Sequence, residues 1–214
     1  LTAPAASVPA SFETIANQAD AARSRNRVLD AIRLYREGTH LRPAWTDGWW
    51  YLGSLLYDQD RFPEASTAFQ RLLATTAHRG PAHAFLGLCN YETGKYDDAL
   101  AQFRAWGDAG WPGTPQLRDV AVFHFALLLA RDGKFVESLY LMAPLAARLG
   151  DNPELAEAMG LASLRMRDLP ANYPPDRRER IWLAGKAALF AAQSPADFER
   201  ADEFAARLES RYPA

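Results

Sequence analysis

The chain has 214 residues, 49% apolar and 23% charged, proportions that fit a folded soluble protein rather than a disordered one. Its net charge is −2, from 24 basic and 26 acidic side chains mixed along the sequence, so a phosphate-neutralising surface is not indicated and nucleic acid is not expected as a partner. The single cysteine, Cys89, excludes an intrachain disulfide and a Cys-rich metal site, and no apolar run approaches the ~20 residues that cross a bilayer.

Residues 1–11 begin at Leu1 and continue in Ala, Pro, Ser and Val, with too little apolar surface to order themselves. Such a start fits either a trimmed chain or a mature one whose export signal has been removed; an exported, periplasmic bacterial protein is expected, with a cytoplasmic one as the alternative. From residue 12 a period of 34 takes over. Trp49, Leu52, Gly53, Ala65 and Phe69 form W-x2-L-G followed by A-x3-F. Adding the period reaches Leu86, Gly87, Ala99 and Phe103, and subtracting it reaches Ala19, Ala31 and Tyr35. Repeats therefore run over 12–45, 46–79 and 80–113. A fourth, 119–152, follows five further residues and supplies Phe125, Ala126, Ser138 and Met142. The small residues let two helices of a pair cross closely, and Phe69 and Phe103 fill the space between successive pairs. One site in each repeat reads as the turn inside the pair: Asn26-Arg27, Asp60-Arg61, Gly94-Lys95 and Gly133-Lys134. Asn, Asp and Gly tolerate the left-handed conformation that ends a helix.

Beyond Gly150 the pattern loosens. Residues 153–167 predict a lone helix carrying Met159-Gly160 in place of Leu-Gly, and 168–176 is a linker whose prolines at 170, 174 and 175 forbid a regular helix. A final helix pair is expected over 177–212. Eight or nine extended residues span roughly 28 Å, enough to return along a helix of ~22 Å and stand in for its missing partner.

These motifs resemble the tetratricopeptide repeat, whose signature includes the W-x2-L-G and A-x3-F pattern at a period of 34. The resemblance covers 12–214 and is most specific from Thr46 to Arg104. It implies an all-α fold, a right-handed α-α superhelix of about eleven helices, with the first helix of each pair lining a concave groove. It further implies a non-enzymatic scaffold that binds another protein. The groove positions it assigns include Asp47, Trp50, Ser54, Tyr57 and Asp58 from the second repeat, Leu88, Tyr91 and Glu92 from the third, and Phe123 and Arg131 from the fourth. That surface is aromatic in the middle and acidic at its edges, suited to a peptide or helix with apolar and basic side chains. The basic set that clamps chaperone tails is missing: the corresponding positions carry Ala16 and Asp20, Trp50 and Ser54, and Ala84 and Leu88. Trp49 and Trp106 are read as core.

Catalytic and metal chemistry find little support. His78 and His83 are five apart, the wrong spacing for a helical zinc pair, and H-E-x-x-H is absent. Gly94-Lys95 and Gly133-Lys134 lack the rest of a phosphate loop, no G-x-S-x-G is present, and Cys89 reads as core. No enzyme activity, cofactor or metal is expected. Two alternatives stand beside the scaffold: self-assembly through the end of the stack near Phe204 and Leu208, or a small-ligand or enzymatic pocket beside the Pro-rich linker.

Overall fold

The computed structural model describes residues 11–75, 80–170 and 172–213. Apart from Ser11, the segment expected to stay unordered lies outside the described residues, as does His78. Among the described residues there are eleven α-helices and no strand, the expected class and helix count. The chain divides between Pro112 and Gly113 into two compact units.

The first unit holds α1 (Phe12–Ser24), α2 (Val28–Leu41), α3 (Thr46–Tyr57), α4 (Phe62–Thr75), α5 (Ala82–Glu92) and α6 (Tyr96–Asp108). Ser11 starts α1, its hydroxyl oxygen accepting from the Thr14 amide at 3.3 Å. The turns inside the pairs fall at the expected residues: Asn26, Asp60 and Gly94 have φ of 54°, 56° and 72°. In each, the next amide donates back across the helix end, Arg27 to Ala22, Arg61 to Leu56 and Lys95 to Asn90, at 2.8–3.0 Å.

The unit is held by one large ring per pair set against a glycine or another ring. Tyr35, Phe69 and Phe103 are each 0% exposed, and burying such a ring contributes roughly 1.5–3 kcal/mol. A β-carbon on Gly53 would meet Phe69 at 2.9 Å, and one on Gly87 would meet Phe103 at 2.6 Å. Glycine is required there by the ring, not by the turn. Trp45, just before α3, is wedged between Gly38 and Gly48, where a β-carbon would approach its ring to 2.6 and 2.2 Å. It also meets Phe12 edge-on at 5.0 Å and Tyr35 at 5.6 Å, which ties α1, α2 and α3 together. Trp106 is wholly buried, its indole N–H donating to the Pro112 carbonyl at 2.8 Å. Trp49 departs from the expected core role: it is half-buried, with its N–H satisfied by the Pro43 carbonyl at 2.8 Å.

The second unit holds α7 (Pro115–Arg131), α8 (Phe135–Leu149), α9 (Pro153–Ser163), α10 (Arg178–Gln193) and α11 (Phe198–Arg211). Thr114 and Asn152 cap α7 and α9, accepting from the amides of Leu117 and Leu155 at 3.2 and 2.8 Å, each followed by a proline at the first helical position. Gly133 makes the turn between α7 and α8 at φ 83°. Ser138, where the other repeats have alanine, is fully buried and donates to the Ala126 carbonyl across the pair at 2.8 Å.

The helix expected to stand alone does not. α9 packs chiefly against α10. A β-carbon on Gly160 would lie 2.1 Å from the Ile181 carbonyl oxygen, and one on Gly185 would lie 2.0 Å from that of Ala156. The order 156 to 185 and 160 to 181 makes the two helices antiparallel. They are therefore antiparallel partners joined by a long loop, and α10 packs closely on α11 as well, the two helices expected over 177–212. The linker has no partner role to fill, because two glycines let the helix backbones touch directly. The turn that ends α9 falls on Arg165, with φ 54° and the Met166 amide donating to Leu161 at 2.9 Å. On α11, Phe204 is half-buried, edge-on to Trp182 at 5.2 Å and stacked on Phe190 at 5.6 Å; Leu208 is half-buried as well.

Candidate functional site

In the first unit, α3 and α5 bring the expected groove residues together around a ring that the sequence reading left out. Phe85 on α5 stacks on Phe69 at 5.2 Å, and it receives the edges of Trp50 at 5.6 Å and Tyr57 at 5.2 Å. Trp50 also meets Phe69 at 5.9 Å and Tyr57 meets Phe62 at 5.5 Å. Both outer rings are half-buried, so part of each joins the second helix pair to the third and part faces solvent. A signal for Phe85 was available: it stands 34 residues after Tyr51, another aromatic. Ser54 donates to the Trp50 carbonyl at 3.0 Å, which leaves its hydroxyl engaged with its own helix. Asp47 and Asp58 are exposed at the two ends of α3.

On α5, Tyr91 is half-buried and meets Tyr96 edge-on at 5.5 Å, while Glu92 is exposed. Leu88 is corrected: at 2% exposure it is core and offers nothing to a ligand. α5 is enclosed between α4 and α6 and is buried along most of its length, so it reaches this face only through Phe85 and its C-terminal end.

The electrostatics converge on Tyr57. Burial pushes its hydroxyl up to about 12, reinforced by the nearby carboxylates of Glu92, Asp58 and Asp60. Burial likewise pushes Tyr91 up to about 12, with Tyr96 and Glu92 adding to the effect. Among the described residues Asp58, Asp60 and Glu92 have no ion-pair partner. Glu13, Asp30, Glu37 and Glu64 elsewhere on the unit are paired with arginines. Cys89 is fully buried, and desolvation pushes its thiol up to about 12, which suits a core residue and not a nucleophile.

At the first pair the same face is built differently. The buried Tyr35 hydroxyl donates to Asp20 at 2.6 Å and accepts from the Arg23 Nε at 3.0 Å. The Arg23 guanidinium lies 4.0 Å over the Tyr51 ring.

Phe123 and Arg131 belong to the second unit. Phe123 is half-buried and lines an apolar cleft of ≈450 Å³ with Val120, Leu145, Leu149 and Leu155, whereas Arg131 is exposed at the end of α7. Beside the proline-rich segment lies an open cleft that includes Glu179, Trp182 and Tyr212. Glu179 is already held there by Arg211 and by the Tyr212 hydroxyl. His83 is nearly buried, with Nδ1 2.8 Å from the Gln102 side-chain oxygen. Among the described residues no three His, Cys, Asp or Glu side chains are grouped to hold a metal, and no helix is long and apolar enough to cross a membrane.

A tetratricopeptide-repeat family model matches residues 17–81 and 52–113. No curated protein matches the chain. Among solved structures, the chain is similar to YrrB, described as a TPR protein with an unusual peptide-binding site. Identity is 15%, coverage 90% of this chain and 92% of that one, and the TM-score 0.63. It is also similar to the MamA protein, at 15% identity over 95% and 96% of the two chains, with a TM-score of 0.59. At such identities the likeness is one of fold. With helix pairs recurring at 34 residues, a glycine seated under a ring at equivalent places and the repeat matched through 17–113, that part of the chain belongs to the tetratricopeptide-repeat superfamily.

Proposed function

We propose that the chain is a non-enzymatic protein-interaction scaffold that binds a peptide or helix across the first-helix face of its first unit. The observation that carries this reading is the surrounding of Tyr57, whose half-buried ring packs with that of Trp50 against Phe85 and lies within the field of Asp58, Asp60 and Glu92, three exposed carboxylates with no ion-pair partner among the described residues. Half-exposed aromatic rings make strong anchors because they bury large area at little entropic cost. Unpaired rim carboxylates steer basic partners and select among them. The ligand class that follows is a segment with one large apolar side chain flanked by Lys or Arg. Peptide binding by YrrB, as its description states, supports the same use of this fold. Cys89, buried with its thiol protonated, supplies no nucleophile for a competing enzymatic reading.

Selection of displayed peptides on the immobilised chain tests the proposal. Enriched sequences should be basic and carry an aromatic or large aliphatic residue. Their affinity should fall about tenfold or more in the Asp58→Lys/Glu92→Lys double variant, since charge reversal at a rim opposes the same steering. Helical content should be unchanged, because both residues are exposed. Enrichment of acidic peptides, or full affinity in the double variant, would move the site to another surface.

A further inference from the structure

Between α2 and α4 of the first unit, which the Arg36–Glu64 pair joins, lies a cleft of ≈520 Å³. The opening follows from side-chain size. Apart from the Arg36–Glu64 pair, which crosses the gap, α4 presents the small Thr67, Ala68, Ala74 and Thr75 to it and α2 presents Thr39. Its floor is Leu52, Leu56 and Ala68, each at most 3% exposed, and the half-buried Trp49 ring forms one wall. Because the Trp49 N–H is spent on Pro43, the indole shows the cleft an apolar surface.

The mouth carries an excess of positive charge. Glu64 is the one carboxylate lining the cleft, and it already serves two guanidiniums: Arg36 from α2 at 2.7 Å and Arg61 through two contacts of 2.7 and 2.8 Å. Arg71 and His40, both exposed at the mouth, have no charged partner among the described residues. The Arg36–Glu64 pair also bridges α2 to α4, and the cleft's volume limits an occupant to a short chain.

We propose that this outer cleft binds a small amphiphilic carboxylate, with its apolar chain over Leu52, Leu56 and Ala68 and its anionic end at Arg71. The volume falls within the roughly 300–1,000 Å³ of small-molecule sites, and the charge balance selects an anion over a cation or a neutral head group. The site is independent of the face that carries Trp50 and Tyr57.

Calorimetric titration of the full chain with decanoate, decanol and decylamine tests this. Decanoate should bind once per chain, decanol about tenfold or more weaker for want of a charge-assisted bond, and decylamine not at all. Arg71→Glu should weaken decanoate by a similar factor, and Thr67→Trp, which fills the cleft from an exposed position, should abolish binding. Asp58→Lys/Glu92→Lys should leave decanoate binding untouched. No decanoate binding, equal binding of decanol, or binding that survives Thr67→Trp would each overturn the assignment.

Discussion

Gly53 lies against the ring of Phe69 so closely that a β-carbon on the glycine would stand 2.9 Å from two ring atoms. The same relationship recurs one period later between Gly87 and Phe103, at 2.6 Å. Both rings are wholly buried and cannot swing aside without opening the stack.

Leucine at either glycine should therefore overpack the pair and cost about 1–3 kcal/mol, with Gly87→Leu the more damaging. In a domain of this size each kcal/mol lowers the melting temperature by about 2–4 °C. A thermal melt that shows no loss for either variant would mean that the rings do not sit on these glycines.

Gly160 and Gly185 should be less forgiving still. The atoms in their way are the carbonyl oxygens of Ile181 and Ala156, which no rotamer change can move. Alanine at Gly160 should destabilise the protein by more than alanine at Gly53 does, although alanine is the better helix former by about 1 kcal/mol. Urea midpoints for the two variants check the order, and a Gly160→Ala protein as stable as the parent would refute the α9–α10 contact.

Arg165 should be a place to gain stability. A non-glycine residue in the left-handed region costs roughly 1–2 kcal/mol, and Arg165 adopts φ 54° on an exposed turn. Arg165→Gly removes that strain and loses part of the benefit to the freer unfolded chain, for a net gain of up to about 1 kcal/mol. A lowered midpoint would show that the arginine side chain contributes more than its backbone costs.

Alkaline pH should weaken the first unit. Cys89 ordinarily ionises near 9, and Tyr57 and Tyr91 near 10; all three are pushed up to about 12 in the folded protein. The unfolded chain releases these protons first, so the stability they carry is complete below about pH 9 and is lost as pH climbs towards 12. Denaturant midpoints should begin to fall above pH 9, less so in Tyr57→Phe and Tyr91→Phe, and Cys89 should resist thiol reagents in the native state. A midpoint constant to pH 11 would contradict the burial of these groups.

What could be read from the sequence was whatever repeats locally. Asn26, Asp60, Gly94 and Gly133 announced the turns because a left-handed residue is a property of the chain itself. Gly53 with Phe69 and Gly87 with Phe103 announced the packing because the same spacing occurs twice. The α9–α10 pairing was hidden, since Gly160 and Gly185 meet across a proline-rich loop with no counterpart in the other repeats. Leu88 was misplaced because position within a helix does not say how far neighbouring helices enclose it. Trp49 was taken for core, and the outer cleft stayed unseen, because a gap between helices is made by several small side chains on separate elements, none of them informative alone.

The turns inside the pairs have a consequence for proteolysis. In the four 34-residue repeats the residue after the left-handed position is basic: Arg27, Arg61, Lys95 and Lys134. Each places its own amide in the bond that closes the helix end, at 2.8 to 3.0 Å. Trypsin recognises these residues, yet it can cut only after the turn has opened, so cleavage at each site measures how often that helix pair comes apart. A brief digestion followed by mass spectrometry would thus return a ladder of local opening, one rung per repeat, from labels already built into the chain.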